Sequence, residues 1–180
     1  MASKPVIMVI GASGTIGVAT LKALVNYADK FDIRAGVRDP QKAADKLSDL
    51  QGAITFVKVT MGDEDLSSSL RGVSRLFIVT PGVENRAELT MATAHSAKLA
   101  DVKSIVVVSV LTADLTSTVF GGQFKQIETS IKKLGVACTF LRLPLFMENY
   151  FAARDSIVNQ SCIYLPVDPA KPYTPMAVSD

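Results

Sequence analysis

Three glycines that follow a run of apolar residues limit what this chain can fold into more than any other feature. The segment reads Val6-Ile-Met-Val-Ile-Gly11-Ala-Ser-Gly14-Thr-Ile-Gly17. Its apolar run, almost all Val and Ile, has the composition of a strand covered on both faces, as a central parallel strand is. Beyond the glycines, Gly17, Leu21, Leu24 and Val25 recur along one helix face. A strand, a glycine turn and a helix N-terminus in that order make a cradle for a dinucleotide pyrophosphate. Gly11 permits the tight turn, Gly14 lets a ligand approach the backbone, and Gly17 lets the helix lie against the strand. The backbone of Ser13, Thr15 and Ile16, together with the helix dipole, then faces the phosphates. The spacing is Gly-x-x-Gly-x-x-Gly, one residue longer in its first gap than the common fingerprint, so its weight comes from the strand–turn–helix context. The plainer alternative is an ordinary strand-to-helix turn.

Downstream, strands and helices alternate. Phe31–Val37 has apolar residues at every second position, and Asp39-Pro40 reads as an N-cap followed by proline at the first helical position. Ala43, Leu47 and Leu50 give that helix its stripe. Further strands are predicted at 54–59, 76–79, 104–109 and 137–141, with helices over 66–70, 84–100, 124–134 and 146–154 between and after them. Pro166, Pro169, Pro172 and Pro175 argue against regular structure near the end. Such alternation with short connections predicts an α/β, doubly wound parallel sheet with helices on both faces. Residues 1–154 would form this dinucleotide-binding domain, and 155–180 an irregular start to a C-terminal region.

Composition removes several classes of function. A net charge of +2 without a basic run argues against nucleic acid as a partner. No apolar run approaches a membrane span, and Met-Ala-Ser-Lys-Pro lacks the apolar core of a signal peptide. Cys138 and Cys162 have no metal-binding spacing, so no metal is expected and a reducing cytoplasm is the default location. His95, the one histidine, falls within the alanine-rich helix and reads as a packing or surface residue.

Ligands of doubly wound sheets sit at the carboxyl ends of the strands, near the point where strand order reverses. Arg38 ends the second strand. An acidic residue near this point binds the ribose diol of NAD, whereas an arginine suits the 2′-phosphate of NADP. Arg38 offers a planar, permanent charge, and Lys42, one helical turn on, offers a second. Asp39 competes as a ribose ligand, but the proline behind it favours a capping role. NADP(H) is therefore preferred and NAD(H) possible, the alternative being that Arg38 is a solvated surface charge. Thr60 and Met61, after the third strand, flank the adenine or form an exposed turn. Thr80, Pro81 and Gly82 end the fourth strand and leave room for the ribose and pyrophosphate, or make a plain turn. Ser109 ends the fifth strand, as a catalytic hydroxyl aimed at the nicotinamide or as a buried serine satisfied by its neighbours.

Gly11–Gly17, Gly36-Val-Arg-Asp-Pro40, Ser69-Leu-Arg-Gly-Val73, Thr80-Pro81, Lys125-Gln-Ile-Glu128, Leu134–Arg142 and Phe146-Met-Glu-Asn149 together cover essentially the whole chain. In these segments it resembles the NmrA-like branch of the atypical short-chain dehydrogenases/reductases. The resemblance implies a Rossmann domain binding NADPH or NADH, with a smaller C-terminal region lending the substrate or partner surface. It also implies cofactor contacts from the loop holding Leu143, Pro144 and Phe146. Some relatives reduce quinones or other conjugated acceptors; others lack activity and sense the NADP(H) redox state for a regulatory protein partner.

The proton donor divides those readings. Typical members of the wider superfamily carry a Tyr-x-x-x-Lys pair; here the lysine is Lys125 and the position four residues earlier is Gly121. Lys125 is then expected to bind the cofactor ribose and to act as the catalytic acid/base, or else to belong to a salt-bridged helix face with Glu128. Arg142-Leu143-Pro144 sets the proline one residue later than relatives do. Tyr173–Asp180 resembles a stretch that leads into later helices, which implies a fragment or a pocket open on one side. Two readings stand: an NAD(P)H-dependent reductase of a small quinone-like or conjugated carbonyl acceptor, and a non-catalytic redox sensor. Oligomeric state is left open.

Overall fold

The computed structural model describes residues 4–164, 170, 172 and 174–180. Pro166, Pro169 and Tyr173, singled out above, lie outside the described residues. The chain divides into two compact units, Met1–Arg142 and Leu143–Asp180.

In the first unit six strands form one parallel sheet: β1 (Val6–Ile10), β2 (Asp32–Val37), β3 (Thr55–Lys58), β4 (Val73–Ile78), β5 (Ser104–Val110) and β6 (Ala137–Leu143), which crosses the unit boundary by its last residue. Their spatial order is β3-β2-β1-β4-β5-β6. This is the order of a dinucleotide-binding Rossmann sheet, with β1 at its centre. Both neighbours of β1 run parallel to it: Met8 pairs with Arg34 on one side and with Leu76 on the other.

The helices between the strands are α1 (Thr15–Leu24), α2 (Pro40–Lys46), α3 (Leu66–Ser69), α4 (Arg86–Leu99) and α5 (Val119–Lys132). Successive side chains of a strand point to opposite faces, so β1 feeds two cores. Met8 and Ile10 join Leu76, Ile78, Ile105 and Val107 under Ala94 and Ala97 of α4 and Phe124, Ile127 and Ile131 of α5. Val9 joins Ile33, Ala35 and Val37 under Leu21 of α1 and Ala43 of α2. Met8, Val9 and Ile10 are at most 2 % exposed, as the unbroken apolar run of β1 requires. Ala87, Ala94 and Ala97 of α4 bury against the sheet because small side chains let a helix axis come close. His95 is on the exposed side of that helix.

Several boundaries differ from the sequence pattern. β4 begins at Val73, earlier than its apolar run: the half-buried Ser74 and exposed Arg75 interrupt the apolar pattern between the buried Val73 and Leu76. α5 begins at Val119, capped by the Thr118 hydroxyl. In the second unit the segment after Phe146 is a 3-10 stretch, Met147–Ala153, followed by α6 (Arg154–Gln160), so helix extends past residue 154 where irregular chain is expected. This unit is tied by Met147 N–H donating to the Met176 carbonyl, Met176 N–H to Leu145, and Val178 N–H to Glu148 Oε1.

Candidate functional site

Strand order reverses between β1 and β4, and the first glycine loop leaves the sheet there. Gly11 has φ of +79°, and a Cβ on it would stand 2.9 Å from Val79 Cβ, at the end of β4. At Gly17 a Cβ would come 2.3 Å from the Gly11 carbonyl oxygen. Both positions are therefore closed to any side chain by the protein itself. Gly14 differs: an added Cβ would meet only the Gly11 oxygen, at an ordinary 3.4 Å. Its missing side chain keeps open a face that the fold does not fill.

That face lies at the start of α1. Gly14 is the N-cap and supplies no side-chain cap, and the first turn carries no acidic residue. Val18 N–H bonds the Gly14 carbonyl, but among the described residues no acceptor meets the N–H groups of Ser13, Thr15, Ile16 or Gly17. Unpaired N–H groups at a helix start, with the helix dipole behind them, favour an anion. Ser13, Gly14 and Thr15 are exposed and Ile16 is half-buried, so an anion of phosphate size can reach them. The donor set fits a nucleotide diphosphate.

Cations gather on the adjacent strand end and helix. Arg38 is exposed at the end of β2. Asp39 is the N-cap of α2, with Pro40 at the first position: its carboxylate accepts from Lys42 N–H at 3.1 Å. The carboxylate that competes for a ribose diol is thereby engaged in holding the helix. Lys42 and Lys46 lie four residues apart on one face of α2, and Lys46 Nζ donates to the Ser13 carbonyl at 3.0 Å. Sequence reasoning stopped at Lys42. The i, i+4 spacing from Lys42, on a helix entered at Asp39-Pro40, is the sign by which Lys46 is found.

The other strand ends are more enclosed. Thr60 is exposed and Met61 is packed against the core; a Cβ on Gly62, whose φ is +83°, would stand 2.6 Å from Leu89 Cδ2. Thr80 Oγ1 donates to the Val108 carbonyl at 3.1 Å, joining the ends of β4 and β5. Pro81 is half-buried, and Gly82 is exposed with nothing near its Cα to require a glycine. Leu143, Pro144 and Phe146 belong to the second unit, where Leu143 ends β6 and Phe146 bridges to Met176.

Ser109 and Lys125 end up in one polar network. Ser109 is 1 % exposed, and its hydroxyl donates to Glu128 Oε1 at 2.7 Å. The proton expected to serve a substrate carbonyl thus points to a carboxylate on α5. Glu128 is itself buried rather than part of an outer helix face; it accepts from Arg142 Nε at 2.9 Å and Nη2 at 2.7 Å. Those bonds hold its carboxyl below the usual range against the opposing effect of burial. Arg142 also reaches Asp114, in the short 3-10 segment Leu111–Asp114 after β5. Lys125 meets the same carboxylate at 2.5 Å. Its hydrogen bonds from Lys125 and Arg142 lower Asp114 to about 2, and Arg142 is raised above its ordinary value chiefly by Glu128. Asp114 carries no motif of its own, and nothing in the sequence pairs it with Lys125.

Around this network the surface is apolar. Leu111, Leu115, Val119 and Phe120 are all exposed, by 44 % to 81 %. The Arg86 guanidinium lies 4.6 Å from the Phe120 ring centre, and Phe120 meets Phe124 edge to face. Among the described residues no cluster of His, Cys, Asp and Glu could hold a metal, and no helix is long and apolar enough to cross a membrane.

Residues 3–179 match the NmrA-like family. The chain is 29 % identical to an NAD(P)H azoreductase of Xenophilus azovorans over 92 % of its own length and 57 % of that protein. It is 32 % identical to quinone oxidoreductase 2 of Escherichia coli over 82 % of its length and 51 % of that protein. The crystal structure of an NADPH-dependent quinone oxidoreductase from Escherichia coli, complexed with NADPH, superposes with a TM-score of 0.75 at 27 % identity, over 86 % of this chain and 54 % of that one. The chain thus spans about half the length of the curated relatives it matches.

Proposed function

This chain belongs to the NmrA-like family, and we propose that it binds NADP(H) in preference to NAD(H) and acts as a reductase of a small quinone-like or conjugated carbonyl acceptor. The observation that carries this reading is the first turn of α1. Its N–H groups lack protein acceptors, beside a glycine whose missing side chain serves no contact within the protein. Ser13, Gly14, Thr15, Ile16 and Gly17 would hold the pyrophosphate. Arg38 and Lys42, with Lys46 behind the loop, would hold the 2′-phosphate, a charge-assisted contact that NADH cannot make. Thr60 and Met61 are the candidates beside the adenine, and Pro81 and Gly82 those beside the ribose–pyrophosphate.

When bound, the cofactor supplies a hydride. The protein's part is to orient the cofactor, seat the acceptor and deliver a proton. Of the two candidate donors, Ser109 has its hydrogen on Glu128, whereas Lys125 spends one of three N–H donors on Asp114. Lys125 is therefore the group for the ribose hydroxyls and for the proton. The exposed apolar rim of Leu111, Leu115, Val119 and Phe120 suits a flat, apolar acceptor, and the relatives named above reduce quinones or azo compounds by their names. A hydride from NADPH and free Cys138 and Cys162 fit a reducing, cytoplasmic setting. The sensor reading drew on the absent tyrosine at 121, but relatives named as oxidoreductases favour the enzyme.

Titration of the chain with NADPH and NADH, followed by nucleotide fluorescence, tests the cofactor reading. Arg38→Ala should weaken NADPH by roughly 10- to 100-fold and leave NADH nearly unchanged, the loss of one charge-assisted phosphate contact. Equal affinities of wild type and Arg38→Ala for NADPH would refute it. Oxidation of NADPH by a quinone panel then tests the reductase.

A further inference from the structure

Lys125 lies four residues after Gly121 on α5, so a side chain at 121 would be its neighbour on the same helix face. Gly121 provides none, and none fits. A Cβ there would come within 2.3 Å of the Leu115 carbonyl oxygen and 2.5 Å of that of Thr112. The chain after β5 is folded down onto this spot. Thr118 secures it: its hydroxyl accepts from Gly121 N–H at 3.0 Å and donates to the Leu115 carbonyl at 3.0 Å. The same stretch carries Asp114, whose carboxylate meets Lys125 Nζ at 2.5 Å. From its other side Asp114 is held by Arg142, which the buried Glu128 fixes through two hydrogen bonds. A carboxylate brought in by a loop stands beside the lysine where the helix itself offers nothing.

We propose that Asp114 is a positioning residue for Lys125, holding its ammonium at the carboxyl end of β5 with two N–H donors left for the ribose hydroxyls of a bound nucleotide. The inference rests on the NADP(H)-binding reading above. Lysine is a long, flexible side chain that loses rotamer freedom whenever it is held. An ion pair with an anchored carboxylate meets part of that loss before the nucleotide arrives, which is preorganisation. The side chains of Lys125 and Asp114 are 46 % and 56 % exposed. An ion pair that open to water adds little to the stability of a fold, so orientation is the larger effect. Asp114 is anionic throughout the neutral range, as any aspartate is, and its hydrogen bonds from Lys125 and Arg142 lower its carboxyl further, to about 2.

The test is a double-mutant cycle on the full chain, with the dissociation constant for NADPH as readout and thermal melting as a check on folding. Asp114→Asn should weaken NADPH about fivefold in the wild-type background and less than about twofold on top of Lys125→Ala. Asp114→Glu, which keeps the charge, should recover most of the loss. The ratio of NADPH to NADH affinity should stay unchanged in every variant, since Arg38 is untouched. An Asp114→Asn chain that binds NADPH like wild type overturns the proposal. So does an equal loss in the Lys125→Ala background, because Asp114 would then act through Arg142 and the fold. A wild-type chain that fails to bind NADPH overturns the parent reading as well, so the two failures are distinguishable.

Discussion

Two buried polar side chains show how differently single residues can be settled. Glu128 is 3 % exposed and receives three hydrogen bonds, one from Ser109 and two from Arg142. Its charge is compensated where it lies, and removal of Arg142 would leave this buried carboxylate with the Ser109 hydroxyl alone. Thr90, on the buried face of α4, is fully buried, and its hydroxyl meets no partner among the described residues. A buried hydroxyl without a hydrogen bond costs about 1–3 kcal/mol. Replacing it with a methyl group keeps the shape and removes the cost. Thr90→Val should therefore be neutral or stabilise the chain by about 1 kcal/mol, read from urea denaturation; a loss of stability would mean that the hydroxyl has a partner after all.

At the scale of elements, the contact between α5 and the chain after β5 has the most consequence for the site. Gly121 lies inside a helix, where replacing glycine with alanine normally gains about 1 kcal/mol. Here the added methyl group would face two carbonyl oxygens at 2.3 and 2.5 Å, and overpacking of that kind costs about 1–3 kcal/mol. The steric term is the larger. Gly121→Ala should destabilise the protein and loosen residues 111–118, seen as a lower melting temperature and faster hydrogen exchange in that stretch. α1 shows the opposite balance at Gly14, where an added methyl group meets nothing tighter than ordinary contact.

For the molecule as a whole, the network of Ser109, Glu128, Arg142, Asp114 and Lys125 ties β5, β6 and α5 together and makes stability depend on pH. Glu128 and Asp114 both have carboxyls lowered in the folded state, from ordinary values of 4.5 and 3.8. A lowered carboxyl stabilises the fold fully above its unfolded value, and that contribution is lost as pH falls through the folded value. Stability should hold near neutrality and begin to fall below about pH 4.5, chiefly through the buried Glu128, while the exposed Asp114 adds only a small further loss between 3.8 and about 2. Equilibrium denaturation across that range checks this; a flat profile would show that the ion pairs do not persist in solution. Local pattern alone determined much of this protein: the central strand, the glycine turn, the Asp39-Pro40 cap and the βα alternation are each written within a few consecutive residues, because backbone geometry and burial period act locally. Even the glycine loop is legible, since Gly11, Gly14 and Gly17 follow the strand at a fixed short spacing. What only the tertiary structure decided is which distant groups meet. Ser109 turns its proton to Glu128, Asp114 finds Lys125, and Lys46 reaches back to Ser13, pairings between residues 11 to 33 positions apart. No periodicity encodes such contacts; they exist because parallel strands and the helices that cover them bring loop ends together at one edge of the sheet.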